Sequence, residues 1–112
     1  MILIGTITFS EELANDVAEA YTNLPKIPDY ITIIGTYVFN SPGEDKRAFS
    51  IFEFDEAHLE GATQYFLSRY EAFGKVKGLT SNLEEWLNVQ DALKVVEDVD
   101  FNINTLSSSD FF

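Results

Sequence analysis

Two periods alternate along this chain. Residues 1 to 9, MILIGTITF, are rich in β-branched and aromatic side chains and stop at Ser10, which predicts a first strand. Ser10 with Glu11 and Glu12 has the character of a helix start, and Leu13, Val17, Tyr21 and Leu24 recur at helical spacing until Pro25 and Pro28 close the helix near Asn23 or Leu24. DYITIIGTYVFN, 29 to 40, predicts a second strand, SPGEDK, 41 to 46, a hairpin turn, and KRAFSIFEF, 46 to 54, a third strand antiparallel to the second. Asp55 and Glu56 start a second helix, with Leu59, Ala62, Phe66 and Tyr70 on one stripe and Gly74 near its end.

Residues 75 to 80, KVKGLT, are read as a fourth, edge strand, since Lys75 and Lys77 suit an exposed edge. Ser81 and Glu84 have the spacing of a capping box, and Leu83, Trp86, Leu87, Leu93 and Val96 predict a third helix from there. The remainder, 97 to 112, is an acidic tail that carries Phe101, Phe111 and Phe112. The chain reads as one α+β domain over 1–112, a ferredoxin-like βαββαβ antiparallel sheet with an extra C-terminal helix.

The strands do not alternate as a sheet with one wet side should. In the third, Ala48, Ser50, Phe52 and Phe54 oppose Arg47, Phe49, Ile51 and Glu53. In the second, Ile31, Ile33, Tyr37 and Phe39 oppose Tyr30, Ile34 and Val38, and in the first, Ile2 and Ile4 oppose Leu3 and Ile7. Apolar residues on both sides predict a sheet covered on both. Two helices cover one face; on the other, about six side chains at roughly 100 Å² each would leave about 600 Å² bare, the upper limit for a soluble monomer. A twofold dimer packed sheet on sheet through Leu3, Phe49 and Ile51 is the expected cover, with the third helix folding back as the alternative.

Composition narrows the partners. Seven basic and nineteen acidic residues give a formal net charge of −12, which repels phosphate polymers and anionic membrane surfaces. The absence of cysteine excludes disulfides, thiolate catalysis and Cys-ligated metal centres. The N-terminal stretch lacks a charged leader and is far below membrane-span length, so a cytoplasmic protein is expected.

The third strand and ILIGTI at 2 to 7 resemble the two motifs of RNA-recognition domains, with Arg47, Phe49 and Phe54 matching. The likeness stops at those strands and the element order. Of the positions that would stack bases, Leu3, Phe49 and Ile51, only Phe49 has a ring, and the acidity opposes phosphate contact, so nucleic acid is not expected as a partner.

YVFNSPGEDKRAFSIFEFDEAHLEGATQYF, 37 to 66, carries most of a resemblance to the dimeric α/β-barrel superfamily, in outline over about residues 1 to 80. That superfamily includes cofactor-free monooxygenases, stress-responsive barrel proteins, and chlorite-dismutase-like and haem-degrading members. The resemblance implies a homodimer with a cavity between sheet and helices that takes a small organic molecule, and it carries over no catalytic residue and no cofactor. Candidate ligand-binding residues are Tyr37, Arg47, His58, Tyr65 and Trp86. Each has a plainer reading: His58, the only histidine, as a surface residue, Arg47 and Glu53 as the rim of an interface, and the aromatics as core. No metal site is expected, because a lone histidine lacks companion ligands. Three functions remain open: a binding protein for a small apolar molecule, a cofactor-independent monooxygenase or isomerase using the same cavity, and a protein-interaction module with an acidic surface.

Overall fold

The computed structural model describes residues 1–98, with side-chain surroundings through 96, so the tail beyond 98 lies outside the described residues. Strand β1 (Ile2–Phe9) leads through a 3-10 turn (Glu11–Leu13) into α1 (Ala14–Thr22). Strands β2 (Ile31–Phe39) and β3 (Lys46–Phe54) form the expected hairpin. Gly43, at φ +78°, supplies the left-handed residue of its turn, which the Glu44 N–H closes by donating to the Ser41 carbonyl at 3.2 Å. A second 3-10 turn (Glu56–His58) opens α2 (Leu59–Gly74), and Asp55 caps it by accepting the Ala57 N–H at 2.8 Å.

Two elements after α2 differ from expectation. Residues 75–79 are a loop, strand β4 is Thr80–Trp86, and α3 is only Val89–Asp98. Ser81 and Glu84 form no capping box, because they lie within a strand that fills the free edge of β1: β4 pairs antiparallel along it from Thr8↔Thr80 to Ile2↔Trp86. The true cap of α3 is Asn88, whose Oδ1 accepts the Asp91 N–H at 2.8 Å.

The four strands lie in the order β2-β3-β1-β4, all antiparallel, and α1 and α2 pack on one face. This is the ferredoxin-like split βαβ arrangement with an additional C-terminal helix. The register corrects two face assignments. Leu3 pairs with Phe52 and belongs to the helix-covered face, whereas Ile4 is the partner of Ile51 on the other. A bulge between Ile33 and Gly35 reverses the alternation in β2: Ile31 and Ile33 share the covered face with Thr36 and Val38, and Tyr37 and Phe39 turn to the open side.

The covered face holds two separate clusters. One gathers Ile31, Phe52, Phe54, Ala62, Tyr65 and Phe66, with Phe52 and Phe66 edge to face at 4.8 Å. The other gathers Ile7, Phe9, Val17 and Phe73. Tyr70 touches both, lying over Gly5 so closely that any Cβ there would meet its ring and hydroxyl. Gly5→Ala is therefore expected to cost about 1–3 kcal/mol in chemical denaturation. The cost should be less than additive with that of Tyr70→Ala; full additivity would show that the contact carries no energy.

Candidate functional site

On α2, Ala62, Tyr65, Phe66, Arg69 and Phe73 recur at helical spacing and are all buried. Four of these suit a core stripe, and the fifth is a guanidinium only 5% exposed. Arg69 lies over the rings of Phe52 at 5.1 Å and Phe73 at 5.8 Å, one from each cluster, so its charge occupies the seam between them. Its Nη1 donates to the Tyr65 hydroxyl at 3.1 Å, while Nε is buried with no acceptor. Among the described residues no carboxylate reaches it: the salt bridge found there joins Lys46 and Glu11 at 3.9 Å. Burial raises the Tyr70 phenol above its usual value of about 10, and the neighbouring Arg69 charge works against that rise.

Beside Arg69 the covered face is incompletely roofed. Helix α1 is nine residues long and buries only Val17, so part of β2 and β3 beneath it stays open. The result is a groove of about 580 Å³ between α1, α2 and the sheet. Its walls are apolar (Ile7, Phe9, Val17, Val38, Ala48 and Phe73), and among the described residues Arg69 is the one charged residue lining it. Its floor carries Thr36 and Ser50, whose hydroxyls are bonded to each other at 2.8 Å.

Of the ligand-binding residues singled out from sequence, none lines this groove, and one, Tyr65, touches a residue that does. Tyr65 is buried and positions Arg69. Tyr37 stands 55% exposed on the open face of the sheet, 5.3 Å from Phe49. Arg47 covers the Phe39 ring at 4.4 Å on that same face. His58 is stacked on Tyr30 at 4.4 Å, exposed at the start of α2. Trp86 ends β4, exposed, and lines a separate recess of about 740 Å³ with Ile2, Thr32, Glu53 and Asp91. The five do not form one site. Arg69, Ser50 and Thr36 were missed, although a charged residue on the stripe of Ala62, Phe66 and Phe73 was a usable signal. Among the described residues no group of three potential metal-ligating side chains occurs, and no helix is long and apolar enough to cross a membrane.

No family model and no curated protein matches the chain. Among solved structures it is similar to part of a formyltetrahydrofolate deformylase from Pseudomonas putida KT2440, at 15% identity and TM-score 0.45, covering 77% of this chain and 29% of that one. It is also similar to the de novo designed protein Foldit4, at 11% identity and TM-score 0.43, covering 78% of this chain and 100% of that one. A third likeness is to a tripeptidase from Staphylococcus aureus, at 11% identity and TM-score 0.39, covering 90% of this chain and 35% of that one. The chain thus spans well under half of either natural protein, and likenesses this distant carry nothing about function.

Because the Tyr70 phenol is raised in the folded state, its contribution to stability is complete below about pH 10 and is lost as the pH rises through the folded value. Absorbance titration of ionising tyrosines should show a component above the ordinary range that Tyr70→Phe removes. An unchanged titration in that variant would mean the phenol is not shielded.

Proposed function

We propose that this chain is a homodimeric binding protein that holds a small, largely apolar molecule in the groove between α1, α2 and the sheet. The groove carries the reading. Its volume of about 580 Å³ falls within the range of small-molecule sites, and it joins apolar walls to a few polar groups. Such a cavity between sheet and helices is also what the dimeric α/β-barrel resemblance implies.

The dimer is supported by the opposite face. Tyr37, Phe39, Phe49 and Trp86 are all exposed there, and Ile4 and Ile51 lie between them. Helix α3 does not cover this face, and its own Val89 and Leu93 are exposed. At roughly 100 Å² for each of the six, less the part that the half-buried Ile4 and Ile51 already hide, the sheet face offers about 500 Å². Adding Leu87, Val89 and Leu93, which follow Trp86 along the chain, brings the total towards the ~800 Å² per partner of a stable complex.

Light scattering behind a sizing column should give twice the chain mass for the wild type and a monomer for Ile51→Glu; a monomeric wild type would remove the dimer from the proposal and leave the groove. For the groove, Ala18→Trp places an indole in it from the exposed side of α1. Small apolar ligands are expected to raise the melting midpoint of the wild type and not of this variant. Equal shifts in both would place binding elsewhere.

A further inference from the structure

The groove is rich in donors and poor in acceptors. A guanidinium has five N–H donors, and Arg69 gives Nη1 to Tyr65 while its Nε has no acceptor. The paired hydroxyls of Thr36 and Ser50 contribute another: whichever donates, the proton of the other is left for a further acceptor. A buried charge is expensive unless paired and hydrogen-bonded, and the rings of Phe52 and Phe73 offset only part of that cost. Among the described residues, none lining the groove supplies the missing negative charge.

We propose that the ligand of this groove is a monocarboxylate with an apolar body, and that Arg69 anchors its head group while the walls contributed by α1 and the sheet hold the rest. This rests on the groove being the ligand site. The single positive charge sets the valence: one carboxylate neutralises it, whereas a phosphate dianion would leave a surplus negative charge beside apolar walls with no second cation among the lining residues. The planar fork of arginine matches the two oxygens of a carboxylate. The guanidinium is also held in advance, by two rings and by Tyr65, so little side-chain freedom remains to be lost when the anion arrives. The net charge of −12 adds a filter against polyanions at the mouth, while a monoanion with a long apolar part is carried in by burial of that part.

Calorimetric titration of the full-length chain with octanoate, 1-octanol and octylamine separates the possibilities, because the three share a tail and differ in head group. The wild type is expected to bind octanoate roughly tenfold or more tightly than octanol, with octylamine weakest. Arg69→Met should reduce the octanoate preference to about twofold while octanol affinity persists, and Arg69→Lys should retain part of it. Octanol binding the wild type as tightly as octanoate would overturn the carboxylate assignment and leave the groove reading intact. Failure of all three to bind the wild type would overturn both. Should Arg69→Met fail to fold, the wild-type ranking of the three head groups decides alone.

Discussion

A positive charge buried on the apolar stripe of α2, with no carboxylate of the described residues in reach, is the constraint around which the covered face is arranged. Arg69 divides what would be one core into two clusters, and Phe52 and Phe73 face it from either side. Tyr65 takes one of its donors, and Tyr70 bridges the clusters over Gly5, where no side chain intervenes. With a core interrupted in this way, and with α1 too short to roof the far half of β2 and β3, the groove follows from the packing. A core built only for stability would place a leucine or methionine at 69, since an apolar side chain of similar volume is commonly neutral or better than a buried charge.

The sheet divides its two faces between two tasks. One face is partly roofed by helices and holds the groove; the other presents Tyr37, Phe39 and Phe49 without a roof from the described residues of the same chain. The bulge at Ile33/Gly35 makes this division sharper than simple alternation would. By shifting the register by one residue it turns Tyr37 and Phe39 outward and places Thr36 against Ser50 at the floor of the groove. One irregularity in an edge strand therefore furnishes both the open aromatic surface and the hydroxyl pair on the floor of the cavity.

How much of this was legible in the sequence varied along the chain. From residue 1 to 74 the elements, though not every face, follow from local signals: the β3 alternation matched its faces, Asp55 did cap the turn that opens α2, and the proline pair did close the segment after α1. Between 75 and 88 they conflict. Ser81 and Glu84 have helix-start spacing, yet β1 would be left with an unpaired edge, and pairing with a distant strand is not written in any short window. The same limit hid the bulge, because Ile33, Ile34 and Gly35 read as an uninterrupted strand, and it hid the side taken by Leu3. The site was obscured for another reason. Tyr37, Arg47, His58 and Trp86 drew notice as chemically distinctive side chains in exposed-looking contexts, whereas Arg69 needed to be recognised as a charge at a core position.

The central claim, an arginine held in advance for an anionic head group, is tested most directly by following the side-chain N–H resonances of Arg69 by nitrogen-15 NMR while octanoate is added. The account requires them to move and to saturate together with shifts at Ser50 and Val38, and to stay nearly in place when octanol fills the same groove. Octanoate binding that shifts Phe49 and Ile51 on the open face and leaves Arg69 unmoved would contradict it.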